Sequence, residues 1–167
     1  KPFQSAISES ELKGVMPCYN SIDGEPASVS HRLLTELLRE KMGFDGLCVS
    51  DYGGINNAHE VQRIGETIGE TGLLAMEAGM DIEMPKATGY GEELKEMFRS
   101  GQADTELLDR TVLRVLEAKF RMGLFEHPFA MDGESCQKIF EEKEGAELSF
   151  RSARESMVLL KNNGILP

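Results

Sequence analysis

Three short apolar runs constrain this chain more than anything else in it: GVMPCYN from Gly14, GLCVSDY from Gly46 and GMDIEMP from Gly79. Each is too brief for a helix, and each stops at polar or aromatic residues. Between them lie stretches with helical spacing. SHRLLTELLREKMG sets Leu33, Leu34, Leu37 and Leu38 on one face, with Ser30 as N-cap and Gly43 just past the end. Ile64 to Gly79 reads as a second helix, although Gly65, Gly69 and Gly72 weaken its first turns. KPFQSAISES, with Phe3 and Ile7, precedes the first run. GEELKEMFRSG and DTELLDRTVLRVLEAKFRMG follow the third, the latter carrying an apolar stripe from Leu107 to Phe120 and ending at Gly123. A parallel strand needs a helical crossover and is covered on both faces, so this alternation predicts βαβ units with about three strands. Three strands are too few to close a barrel, which usually takes about eight and about 250 residues.

The texture changes after Phe125. EHPFAMDGESCQ is loop-like, EEKEGAELSFRSARES is an acidic helix, Met157 to Leu160 reads as a strand and Asn163-Gly164 as a turn. A boundary near residue 126 is predicted. Composition narrows the function. With 18 Lys plus Arg against 29 Asp plus Glu the net charge is −11, and no basic patch interleaved with aromatics occurs, which disfavours nucleic acid. No run of 18 apolar residues suggests a membrane span. Cys18, Cys48 and Cys136 are odd in number and widely spaced, so neither a disulfide framework nor a metal site is readable, and a reducing compartment such as the cytoplasm is favoured. The GxSxG, HExxH, GxGxxG and P-loop motifs are all missing.

In parallel α/β architectures ligands bind at the carboxyl ends of the strands. The residues ending the three runs are Tyr19 and Asn20, then Asp51 and Tyr52, then Glu83. Two aromatic hydroxyls and two carboxylates on one rim suit a polyhydroxylated ligand, and Gly53-Gly54 would allow a sharp turn and close approach. The bland alternatives stand beside this: Asp51 as a cap, Tyr19 and Tyr52 as rim packing, Glu83 paired with a basic neighbour, His59 as a surface or capping residue. His31 and His127 carry no partner pattern.

Three stretches, GVMPCYNSIDGEPASVSHRLLTELLREKMGFDGLCVSDYGGI, AMEAGMDIEMP and ARESMVLLKNNGILP, together resemble the family 3 glycoside hydrolases, in the β-glucosidase and β-xylosidase branch. The resemblance implies a (β/α)8 TIM barrel followed by an α/β sandwich. On that pattern residues 1–126 are the C-terminal part of the barrel domain, 127–141 a linker, and 142–167 the sandwich's first helix and strand. The family's nucleophilic aspartate falls on Asp51, with Tyr52 beside the sugar and Tyr19 near both nucleophile and glycone. The acid/base glutamate is implied to lie beyond Pro167, and the elements gripping the glycone before Lys1. This chain would then be a segment of a retaining exo-β-glycosidase, inactive alone, acting on a β-linked glucoside or xyloside without cofactor or metal. The sister β-N-acetylhexosaminidase branch typically reads SDD where SDY stands here.

A reading from another class remains: a non-catalytic α/β module that self-associates, or associates with the missing barrel half, through exposed edges. An aldolase-like enzyme would want a Schiff-base lysine at a strand end, and none of the three runs provides one.

Overall fold

A parallel sheet with its longest strand in the middle organises the first 125 residues. The computed structural model describes residues 1–166, in two compact units that divide between Phe125 and Glu126. In the first unit, α1 (Pro2–Glu9) precedes β1 (Gly14–Val15), and β2 (Ser21–Ile22) and β3 (Glu25–Pro26) form a small hairpin. Then come α2 (Arg32–Lys41), β4 (Leu47–Tyr52), a helical segment α3 (Gly54–Asn56 continued by Asn57–Val61), α4 (Ile68–Ala78), β5 (Ile82–Met84), α5 (Glu92–Arg99) and α6 (Thr105–Arg121). The sheet order is β1-β4-β5, all parallel, with Gly14 opposite Leu47 and Val49 opposite Ile82. The three runs are therefore the three parallel strands.

Local chemistry explains most boundaries. Asp23-Gly24 joins β2 to β3, and both residues take positive φ (56° and 84°), as a two-residue hairpin turn of mirror-image type requires. The Ser30 hydroxyl accepts the Leu33 N–H at 3.2 Å, capping α2, and Gly43 (φ 75°) closes its far end. The helix itself is wound wider than an α-helix, and Met42 N–H reaches back to Leu37 at its end. Helix α4 starts at residue 68, later than the spacing predicts. Thr67 caps it by accepting the Glu70 N–H at 3.2 Å, while the Glu70 carboxylate accepts from Glu66 N–H at 2.8 Å.

The glycines that weaken α4 on propensity have a packing reason. A Cβ at Gly69 would stand 2.7 Å from the Glu93 Cβ, and one at Gly72 would run into the Gly89 backbone. Helix α4 thus meets α5 and the loop before it at backbone distance. The Glu93 carboxylate accepts the Gly69 N–H at 3.0 Å, satisfying a donor at the start of α4 that has no partner within the helix.

Two apolar clusters hold the unit together. Leu34, Cys48, Ile55, Ala75, Ala78 and Met80 pack between sheet and helices, and Met76, Leu94, Met97 and Ala103 pack under α5 and α6. The tie that sequence reasoning missed is ionic. Asp81, with a fully buried side chain, accepts from Arg39 at 2.6 Å and Arg114 at 3.1 Å and also takes the Cys48 N–H at 2.8 Å. Helices α2 and α6 are thereby pinned to β4 and β5. Burial and then the Asp81 charge push the Cys48 thiol up to about 12, and the two guanidiniums offset only part of this.

Three expectations need correction. The first run leaves the sheet at Val15 rather than running to Tyr19, because Pro17 has no N–H to continue a ladder. EHPFAMDGESCQ, residues 126–137, read as loop, runs into α7 (Gly133–Phe140), whose cap is Asp132 accepting Ser135 N–H at 2.9 Å. After α8 (Lys143–Ser156), Met157 to Leu160 pairs with no strand among the described residues, and Leu160 is almost wholly exposed. An apolar, β-prone run becomes a strand only when a partner meets its backbone groups. No helix among the described residues is long and apolar enough to cross a membrane.

Candidate active site

The carboxyl end of β4 is where the sheet is irregular. Val49 is opposite Ile82 and Tyr52 opposite Met84, so two residues of β4, Ser50 and Asp51, stand against the single residue Glu83 of β5. Such a bulge breaks the ladder and re-aims a side chain. Ser50 repairs the break. Its hydroxyl, 2% exposed, accepts the Met84 N–H at 2.8 Å and donates to the Asp51 carbonyl at 2.9 Å. The Gly53 N–H then donates to the Met84 carbonyl at 2.9 Å, closing the pairing beyond the bulge.

The two glycines after the strand do different work. Gly53 takes φ 68°, a left-handed conformation costly for any side chain, and turns the chain into α3. Gly54 is buried, and a Cβ there would press on the Ser28 hydroxyl at 3.3 Å.

Asp51 is held in this turn by the Tyr52 N–H, which donates to Oδ1 at 2.7 Å. The Tyr19 hydroxyl reaches over from the loop after β1 and donates to the Tyr52 carbonyl at 2.7 Å. Partial desolvation, followed by the hydrogen bond and charge of Asp51, pushes that hydroxyl above the usual tyrosine value. It therefore remains a donor throughout the neutral range. Tyr52 is 66% exposed and Tyr19 39% exposed, so both rings offer surface beside a half-buried carboxylate. Asp51, Tyr19 and Tyr52 come together here from two strand-end loops.

Glu83 does not join them. Its carboxylate accepts three backbone N–H groups, from Thr88 at 2.9 Å, Gly89 at 3.0 Å and Tyr90 at 2.8 Å. It holds the loop between β5 and α5 and is buried in doing so. Neither the rim role nor the basic neighbour considered from sequence fits, because backbone amides take its oxygens. His59 is likewise occupied: Nδ1 lies 3.1 Å from the Ile64 carbonyl and 3.2 Å from the Thr71 hydroxyl, bracing the loop into α4. Among the described residues no group of three or more His, Cys, Asp or Glu is placed to hold a metal ion.

Sequence reasoning missed Ser50 and Gln62. Ser50 had a visible signal, since it alternates with Asp51 on a strand and must face inward. Gln62, whose Nε2 donates to the Tyr19 carbonyl at 3.0 Å and the Ser21 hydroxyl at 3.2 Å, had none.

Over 167 residues the chain is 35% identical to a putative beta-xylosidase of Formosa agariphila, covering 99% of this chain and 22% of the relative. It is 32% identical to beta-glucosidase B of Emericella nidulans, covering all of this chain and 18% of that protein. Among solved structures, a β-glucosidase from Erythrobacter marinus superposes with a TM-score of 0.84 at 35% identity, over 98% of this chain and 21% of its own. The β-glucosidase of Listeria innocua gives 0.81 at 33% identity, over 99% and 23%. The chain thus spans about a fifth of the length of each of these four proteins. Residues 1–118 match the model of the glycosyl hydrolase family 3 N-terminal domain, and the chain belongs to that family.

Proposed function

We propose that this chain supplies the nucleophile, Asp51, of a retaining exo-β-glycosidase acting on terminal β-D-glucosyl or β-D-xylosyl residues. The observation that carries the proposal is the bulge at the end of β4, which takes Asp51 out of the ladder next to the Tyr52 carbonyl that accepts the Tyr19 hydroxyl. In such an enzyme the carboxylate attacks the anomeric carbon. The glycosidic C–O bond breaks as a second carboxyl group protonates the departing oxygen, and water then releases the sugar from the covalent intermediate. The two carboxyls of a retaining pair stand roughly 5–5.5 Å apart. Glu83, committed to three amides, is not free to be the second carboxyl, and the family resemblance supports an acid/base group outside these residues.

Tyr52 provides a flat face for the sugar ring, and the Tyr19 hydroxyl, bonded to the Tyr52 carbonyl, braces the turn that carries the nucleophile. The relatives named β-glucosidase and β-xylosidase support both substrate classes, and one Listeria innocua structure holds laminaribiose. The parallel β1-β4-β5 sheet supports the reading of the first unit as the C-terminal part of a (β/α)8 barrel, whose closure would cover the edges at β1 and β5. The second unit is read as the approach to, and first helix of, a sandwich domain. This segment alone is accordingly inactive.

The test is turnover of aryl β-glucoside and aryl β-xyloside by the full-length protein and its Asp51→Asn variant. A fall of roughly 10³-fold or more, the scale of losing a catalytic nucleophile, is expected. Turnover at the unsubstituted rate would remove Asp51 from the mechanism.

A further inference from the structure

The loop that carries Tyr19 has few anchors of its own. Strand pairing stops at Val15, Pro17 offers no donor, and the next backbone bond is from Ala27 N–H to the Asn20 carbonyl at 3.2 Å. Between those points a side chain from another loop takes hold. Gln62 closes the helical segment after β4, with its own N–H on the Asn57 carbonyl at 3.1 Å, and its half-buried amide reaches across to the Tyr19 segment. Nε2 donates to the Tyr19 carbonyl at 3.0 Å and to Ser21 Oγ at 3.2 Å. The amide's orientation follows from its partner, since a backbone carbonyl can only be met by the NH₂ end.

Tyr19 is therefore held at both ends, its carbonyl by Gln62 and its hydroxyl by the Tyr52 carbonyl at 2.7 Å. Both holds come from the chain on either side of the β4 turn, which also carries Asp51. We propose that Gln62 is a positioning residue, which locks the loop after β1 to the loop after β4 and so keeps the Tyr19 hydroxyl on the Tyr52 carbonyl, beside Asp51. It touches no substrate and acts through Tyr19. The inference rests on the reading of Asp51 as nucleophile.

A residue acting this way governs the alignment of the attacking carboxylate more than binding. Small misplacements of a reacting group lower kcat while leaving ground-state affinity in place. In the full-length protein, Gln62→Met keeps the side chain's length and removes its donor. Its kcat is expected to fall roughly five- to tenfold, the scale of one net hydrogen bond, with KM unchanged. Gln62→Lys restores an N–H donor at similar reach and should recover most of that loss, whereas Gln62→Glu, isosteric but without a donor, should not. Ser21→Ala leaves the bond to Tyr19 intact and should be silent.

The decisive comparison is with Tyr19→Phe. If Gln62 works only through the Tyr19 hydroxyl, the double variant Gln62→Met with Tyr19→Phe is no slower than Tyr19→Phe alone. Additive losses, or an unaffected kcat in Gln62→Met, would overturn the inference. Should Gln62→Met fail to fold, the contrast between Gln62→Lys and Gln62→Glu reads the same donor. Asp51→Asn separates the two levels. Turnover surviving that change overturns the nucleophile reading and the Gln62 role with it, while a dead Asp51→Asn beside a fully active Gln62→Met overturns the role of Gln62 alone.

Discussion

Asp51 owes its direction to the residue before it. The Ser50 hydroxyl replaces the ladder bond that the bulge removes, bridging Met84 N–H and the Asp51 carbonyl. Ser50→Ala leaves the partly buried Met84 N–H without a partner, which should cost about 1–3 kcal/mol in urea unfolding and lower kcat in the full-length protein. Cys48 gives a prediction of a different kind. Its folded value of about 12 lies above the ordinary 9.0, so the folded state holds the thiol proton more tightly than the unfolded state. The corresponding stability is intact below pH 9 and is lost as pH rises toward 12. From pH 9 to about 10.5, wild type should lose about 2 kcal/mol more than Cys48→Ala, read from urea midpoints at each pH. At this scale the sequence placed Asp51 and Tyr52 at a strand end, because the edge of an apolar run is visible, whereas Tyr19 lies in the loop beyond β1. Glu83 misled, since a strand-end carboxylate facing solvent and one buried on three amides look alike in one dimension.

Elements were legible wherever a periodic pattern met its own punctuation. The three parallel strands, the cap at Ser30 and the turn at Asp23-Gly24 follow from spacing and turn chemistry. Helix α4 shows where that reasoning ends. Its glycines are unfavourable by propensity and are explained only by the backbone of the 85–91 loop and α5 lying against them. Gly72→Ala should therefore destabilise the protein, against the ordinary helix preference for alanine, by about 1–3 kcal/mol in thermal unfolding. Met157 to Leu160 shows the opposite limit, where a strand-like pattern has no partner among the described residues.

For the molecule as a whole, the ion cluster around Asp81 matters more than any one apolar contact. Arg39, Asp81 and Arg114 come from α2, the residue just before β5, and α6, and no local pattern announces such a long-range tie. Asp81→Ala strands two partly buried guanidiniums and should cost about 3–5 kcal/mol, measured by chemical denaturation. The apolar residues of α6 form another large-scale feature. Val112, Leu116 and Phe120 remain exposed, and a cavity of about 600 Å³ between α4, α5 and α6 has no site residue in its lining. The proposed chemistry is confined to the strand-end rim. The most direct test of it is a mass measurement on the full-length protein after incubation with a 2-fluoro β-glycoside bearing an activated leaving group. A single fluoroglycosyl adduct mapping to Asp51, and missing from Asp51→Asn, is the predicted result; an adduct on any other residue would contradict the assignment of the nucleophile.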